Sequence, residues 1–434
     1  MPPSLSAAAT PRGDAAHART RAAMERAVRD GAPGVLVTVA AGEDRWAGTA
    51  GLAHRATGRR LRSAADHFRV GSITKTFTAT LVLRLEAEGR LSIDDTVETC
   101  LPGVVRGNGH DGRRITVRQL LNHTSGVYNH LNDPALHQIG PTWLEHRHQT
   151  WTPAELPAVA MSNPPPAAPS VRFVYSNTTP NYLLAALIVE KITGSTYERE
   201  LRRRIIATLQ LRGTRETLPR PSGRAYSTDQ IQAPLPGVNV TEFNPSPLRA
   251  SGEMISTAYD LDRFYEALLA GRLLPRAQLR RVTTTLPVGT DAHGLGLFRM
   301  TTSCGTELWG HQRGAGYGFE ALSVAHPRHP PPDDPVLQHR PSGAPGRGGP
   351  RGRGRGVLPA LLTRPRRVTQ YPARTGEAIG HPRPGAQTRR SETRRPLLTA
   401  PRGVSALRGT ERPDPGPEPT YRRSRGRRRT ARGV

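Results

Sequence analysis

The chain has 434 residues, 35% of them hydrophobic, and a net charge of +27, so it is long enough for one large domain or two medium ones. No run of about eighteen apolar residues is present, which excludes an apolar membrane-spanning helix; two distant cysteines, Cys100 and Cys304, exclude a disulfide framework and metal-ligand spacing and read as buried free thiols. The charge invites a nucleic-acid partner, but residues 326–434 hold 25 Arg against 7 acidic residues, which is +18 of the +27.

Residues 1–16 lack the continuous apolar stretch of a secretory signal peptide and read as a flexible N-terminus, which implies a cytoplasmic chain if its start is as written. Residues 17–30 read as a helix that stops at Gly31, followed by two strands at 34–42 and 44–55. A strong helix begins at Ser72 and stops at Gly89; Phe77, Leu81, Val82 and Leu85 give it one apolar face. ITVRQLLNHTSGV (115–127) reads as a short strand or N-cap entering a helix, NPPPAAP (163–169) as a stiff loop, and 178–194 as a second strong helix ending at Gly194. A third helix is placed over 254–272 with Leu261, Phe264, Leu268 and Leu269 inward, and late strands at 306–311 and 317–325. Residues 17–325 form the predicted folded domain.

After about residue 326 the pattern changes to Arg, Pro and Gly with VLPALL (357–362) as a short apolar run, and chain entropy outweighs what such a segment can bury, so the tail reads as disordered. One account is an Arg/Gly-rich arm that binds a polyanion. The other, which we prefer as a hypothesis, is a shifted reading frame in a GC-rich gene. The nucleotide sequence decides: if neither other frame downstream of the His326 codon encodes strands and an amphipathic helix, the frameshift is wrong.

The chain has only two lysines, Lys75 and Lys191, amid abundant Arg. Arg cannot lose its proton near neutral pH, whereas a desolvated Lys can. Lys75 follows Ser72 by three residues, one helical turn, which puts an amine base within reach of a hydroxyl nucleophile at a helix N-terminus. Ser-x-x-Lys alone also describes a Ser N-cap with a solvated Lys; the scarcity of lysine and the apolar face favour the chemical reading. Tyr175-Ser176-Asn177 supplies a phenol and an amide before an apolar helix; alone it also reads as an aromatic anchor and a turn residue. Trp309-Gly310-His311 with QRGAGYG (312–318) supplies a hydrogen-bonding residue on a strand followed by glycines that let substrate lie against it; alone it also reads as an ordinary strand with a Gly-rich turn.

Together and in this order the three elements resemble the serine β-lactamase and penicillin-binding-protein superfamily, in its class C-like branch of D-alanyl-D-alanine carboxypeptidases, D-aminopeptidases and related esterases. The stretches 68–97, 115–127 and 250–274 are similar to the same family, and the resemblance spans about residues 20–325. It implies an α+β, β-lactamase/transpeptidase-like fold: an antiparallel sheet, built from the N-terminal and the 306–325 strands and flanked by helices, with a mainly helical lobe at about 90–250. It also implies a serine hydrolase in which Ser72 is acylated by an amide or ester (a D-Ala-D-Ala-type peptide, a β-lactam or a small ester). Lys75 and Tyr175 then resemble the acid/base pair, Asn177 a substrate-orienting residue, and His311 the third-motif residue facing the substrate. The oxyanion hole would be the backbone N–H of Ser72 with one from the 311–319 strand. His123 belongs to the pattern and reads as structural. No metal or organic cofactor is implied, and the expected partner is a small-molecule or peptide substrate of a monomer, with nucleic acid only through the basic tail. Relatives of this kind often act outside the cytoplasm.

Two departures stand out. Arg313 occupies the place of the motif glycine; either one extra residue brings Gly314 into register as the substrate-strand glycine, with Gly318 as the later one, or a bulky cation stands at the substrate edge. The family fold also ends with a further strand and a helix, which the tail does not encode, so the alternative function is an inactive, degenerate hydrolase-like protein with a polyanion-binding arm.

Overall fold

A computed structural model describes residues 16–41, 44–54, 57–60, 63–138, 142–170, 173, 178–215, 240–288, 291–316 and 318–327. Tyr175, Asn177, all but residue 16 of the predicted flexible N-terminus, and the predicted disordered tail from 328 onward lie outside these residues. Helix α1 (Ala18–Arg29) buries Met24 and packs across two antiparallel strands, β1 (Gly34–Ala41) and β2 (Asp44–His54). The short β3 (Arg59–Arg60) pairs with β2.

β4 (Phe68–Arg69) leads into a 3-10 turn, Gly71–Ile73, and then into α2 (Thr74–Ala87). Ser72 therefore lies in the 3-10 turn, two residues before the α-helix, which the sequence pattern starts at Ser72 itself. The single apolar face expected for this helix is replaced by burial on every side: residues 74–83 and Leu85 are all buried. Its threonines make this possible, because each hydroxyl has an acceptor. Thr74 donates to the Gly71 carbonyl at 2.7 Å, Thr76 to Gly296 at 2.6 Å, Thr78 to Ala250 at 2.8 Å and Thr80 to Thr76 at 2.7 Å. A buried hydroxyl with its hydrogen bond made avoids the desolvation penalty of an unpaired one. The Thr76 and Thr78 bonds also tie the helix to two distant loops. On the apolar side Phe77 stacks on Phe264, ring centroids 3.6 Å apart. Phe77→Ala is expected to lose about 3–5 kcal/mol of stability, read by denaturant unfolding.

Helix α3 (Val117–Leu121) starts at a capping box in which Thr116 and Gln119 satisfy each other's backbone N–H groups. Helix α4 (Thr178–Thr193) packs against α2 and α3. The helix expected from 254 starts later. Residues Ile255–Ser256 form β5, paired with β4, and α5 (Ala258–Leu269) begins after its cap Thr257, whose side chain accepts from the Asp260 N–H. Its predicted inward residues Leu261, Phe264, Leu268 and Leu269 are buried.

The late strands are β6 (Leu286–Val288), β7 (Asp291–His293), β8 (Phe298–Thr301), β9 (Glu307–Gly316) and β10 (Phe319–Ala325), in the antiparallel order β10-β9-β8-β7-β6. β9 runs on through residue 316, so Gly314 and Gly316 are strand rather than turn, and Gly318 falls in the turn before β10. The sequence places the N-terminal and late strands in one sheet; among the described residues they form a three-stranded and a five-stranded sheet, and α5 lies against both β1 and β10. The largest apolar core joins α2, α4 and α5 with Trp309 and Ala321 of the late sheet. Both thiols are free, but neither is buried as the sequence suggests: Cys100 is half-buried and Cys304 is exposed in the β8–β9 turn, where hydrogen bonds from Thr302 and Thr306 pull its thiol down to about 7. Among the described residues no helix is long and apolar enough to cross a membrane.

Candidate active site

Four segments converge on one turn of α2. The 3-10 turn presents Ser72, half-buried, and the first turn of α2 presents Lys75, 4% exposed. Lys75 Nζ donates to Ser72 Oγ at 2.9 Å and to the backbone carbonyl of Ser251 at 2.8 Å. The Tyr182 ring of α4 lies 5.7 Å from the ammonium. The pairing of β4 with β5 and the bond from Val70 N–H to the Met254 carbonyl clamp the chain entering the Ser72 turn to the chain leaving the Ser251 turn.

Burial pulls the Lys75 amine down from its ordinary range to about 7. Its two acceptors are both neutral oxygens, so no carboxylate contact opposes the desolvation. Three imidazoles complete the uncharged wall. His311 on β9 is 5% exposed, with its pKa held well below the usual range by burial and by the Lys75 charge. His293 on β7 is pushed down to about 3 by burial, again with Lys75 opposing protonation. His123, in the left-handed region at φ 61, is lowered by burial and by its neighbour His293, whose ring lies 4.9 Å away. Asn181 of α4 faces His123 Nδ1 at 3.3 Å and accepts from Ser125 Oγ at 2.5 Å. Among the described residues no group of histidines, cysteines and carboxylates is arranged to hold a metal ion.

Two glycines set the close approaches. A Cβ at Gly296, whose φ is +70, would sit 2.9 Å from the Lys75 carbonyl and 2.8 Å from the Tyr182 hydroxyl. A Cβ at Gly314 would meet the Val70 carbonyl oxygen at 2.1 Å, so β9 runs backbone-to-backbone against the Ser72 turn. The register of β9 with β10 shifts between His311↔Ser323 and Gly314↔Ala321, three residues advancing against two. That is one extra residue taken up as a bulge, and it is how Gly314, rather than the residue at 313, reaches the turn.

Of the predicted site residues, the structure brings together Ser72, Lys75, His311 and Gly314. Tyr175 and Asn177 lie outside the described residues, immediately before α4. Sequence reasoning missed the Ser251 carbonyl, a backbone atom with no side-chain signal, and His293, whose only signal is a lone His before GLGLF. His123, read from the sequence as structural, is buried with its ring against His293.

A serine-bearing 3-10 turn, a buried lysine one turn on and a flanking antiparallel strand stand together on an α+β fold. The Beta-lactamase family profile matches residues 18–327, and the chain belongs to that family. A D-stereospecific amidohydrolase from Streptomyces sp. is 48% identical, with TM-score 0.65 over 71% of this chain and 90% of its own. The D-amino acid amidase of Ochrobactrum anthropi SV3, solved with L-phenylalanine amide, is 26% identical, with TM-score 0.59 over 68% of this chain and 84% of its own. Penicillin-binding protein 4 of Amycolatopsis lactamdurans is 28% identical over 241 residues, 54% of this chain and 58% of its own. The chain spans about half the length of the curated relatives it matches.

Proposed function

We propose that this chain is an amidohydrolase acylated at Ser72, acting on amides of D-configured amino acids or short peptides. The observation that carries the chemistry is the 2.9 Å contact between Ser72 Oγ and an amine whose burial brings it to about 7. The substrate class rests on the likeness to the D-stereospecific amidohydrolase. Neutral Lys75 takes the Ser72 proton as Oγ adds to the amide carbonyl; the C–N bond breaks and the leaving amine takes a proton. Water then adds to the ester at Ser72 and frees the acid. Tyr175 completes the proton relay and Asn177 orients the substrate, two roles that rest on the sequence motif. His311 and Gly314 line the strand against which the acyl group lies, and the Ser72 N–H with an N–H of β9 stabilises the oxyanion.

The test is a panel of D- and L-phenylalanine amide, p-nitrophenyl esters, D-Ala peptides and a cephalosporin on wild type and Ser72→Ala. Turnover of the D-amide above the L-amide, lost in Ser72→Ala, is expected; a folded wild type that turns over none of them and takes up no acyl group refutes the reading. The pH profile follows from Lys75. The amine must be neutral in the free enzyme, so kcat/KM is expected to fall below an acid limb near 7. A flat profile from pH 5 to pH 8 contradicts Lys75 as the base.

A further inference from the structure

The carbonyl that receives Lys75 belongs to a turn under strain. Ala250, just before Ser251, has φ +58, a left-handed conformation that costs a non-glycine residue on the order of 1 kcal/mol and persists only where its surroundings enforce it. Both sides of this residue are held. Its N–H donates to Glu253 Oε1 at 3.0 Å, and its carbonyl accepts from Thr78 Oγ1 at 2.8 Å. Within the turn, the N–H groups of Ser251 and Gly252 and the Ser251 hydroxyl all reach the Leu248 carbonyl. Glu253 is 2% exposed, a buried carboxylate placed where a short polar turn residue would be expected to suffice. Its cationic neighbour Arg249, which feels the Glu253 charge, is also engaged by Glu190 at 2.7 Å and Glu198 at 2.8 Å. Thr78 stands on the same helix as Lys75, three residues on, so the amine and the clamp of its acceptor share one rigid element.

We propose that Glu253 is a positioning residue for the reaction at Ser72: by accepting the Ala250 N–H it locks the 248–253 turn in the conformation that aims the Ser251 carbonyl at Lys75 Nζ. The proposal rests on Lys75 acting as the base for Ser72. Its action is geometric, through an accepted backbone hydrogen bond, and does not need the negative charge. Among the described residues, the groups facing Lys75 are Ser72 Oγ, the Ser251 carbonyl, the Tyr182 ring and the imidazoles of His123, His293 and His311. Among them the Ser251 carbonyl is the acceptor that steadies the protonated amine without being the nucleophile. Loosening it disfavours the ammonium, so the Lys75 titration moves down, and the neutral amine loses its aim at Ser72.

The two conservative variants separate geometry from charge. Glu253→Gln keeps an oxygen at the reach of the Ala250 N–H and removes the charge; Glu253→Asp keeps the charge and draws the oxygen away. Because the chain has two lysines, ε-13C-lysine labelling gives two side-chain signals, and exposed Lys191 is the reference beside Lys75. Glu253→Gln is expected to leave the Lys75 midpoint and kcat within about threefold of wild type, whereas Glu253→Asp lowers the midpoint by roughly one pH unit and kcat by roughly tenfold with KM little changed. Thr78→Val, which removes the clamp from the other side of Ala250, is expected to reproduce the Glu253→Asp signature and decides the matter if Glu253→Asp does not fold. An impaired Glu253→Gln beside a normal Glu253→Asp overturns the proposal in favour of charge. Unchanged Lys75 midpoints in both Glu253→Asp and Thr78→Val overturn it outright. The titration needs no turnover: midpoints that move as expected in a wild type that acylates nothing uphold the clamp and refute the acyl-enzyme instead.

Discussion

Lys75→Met is expected to lower kcat/KM by about 10²–10⁴-fold while making the folded protein more stable at pH 6. The activity loss follows from the geometry. Nζ is 2.9 Å from Ser72 Oγ, and among the described residues no other side chain amine or carboxylate contacts that hydroxyl. The stability gain follows from burial. In the folded protein the amine titrates at about 7, and in the unfolded chain near 10.4. The unfolded state therefore binds more protons between these values, so wild-type stability rises with pH across that window and carries its full penalty below 7. Met fills the same slot without charge. The gain of Lys75→Met is accordingly on the order of a few kcal/mol below pH 7, and it shrinks to nothing above about pH 10. Thermal unfolding at pH 6 and pH 10 reads it. A Met variant no more stable at pH 6 than at pH 10, relative to wild type, means that the amine is solvated. Lys75→Arg is expected to lose the same activity without the stability gain, because the guanidinium stays charged.

Gly314→Ala is expected to damage both fold and activity. Its methyl would enter to 2.1 Å from the Val70 carbonyl oxygen and 3.1 Å from Ile73 Cγ1, neither of which is the free end of a flexible side chain. The strand or the Ser72 turn must move by about an ångström. Overpacking of this kind costs roughly 1–3 kcal/mol, and a shift of that size at Ser72, as the proposed nucleophile, costs about 10²-fold in rate. Gly252→Ala is the control, because its methyl would meet nothing closer than 3.7 Å and stands near the same turn. Unfolding midpoints and kcat/KM for both variants make the comparison. Equal behaviour of the two contradicts the backbone-to-backbone packing of β9 on the turn.

The parts of this protein that were legible in the sequence are those encoded locally. Ser72 and Lys75 sit one turn apart on a single element, so their contact needs no knowledge of the tertiary fold. The extra residue before Gly314 was visible as a break in a short motif, and the β9 bulge absorbs it. What escaped was long-range or carried by backbone. The threonines of α2 look like a polar face until the carbonyls of Gly296 and Ala250 arrive from elsewhere to receive them. Ile255 and Ser256 fall inside the helix the sequence pattern suggests, but pairing with Arg69 and Phe68 draws them into strand, and the helix waits for the Thr257 cap. The Ser251 carbonyl has no side-chain signature, and His293 gains meaning only from lying against His123 and Phe298.

The most direct test is to locate the acyl group. Folded wild-type protein and Ser72→Ala are incubated with a cephalosporin and with a D-phenylalanine ester, quenched in acid and peptide-mapped by mass spectrometry. The expected result is one acyl increment on the peptide bearing Ser72 in the wild type and none in the variant. An increment on another residue, or one that persists in Ser72→Ala, contradicts Ser72 as the nucleophile poised by Lys75.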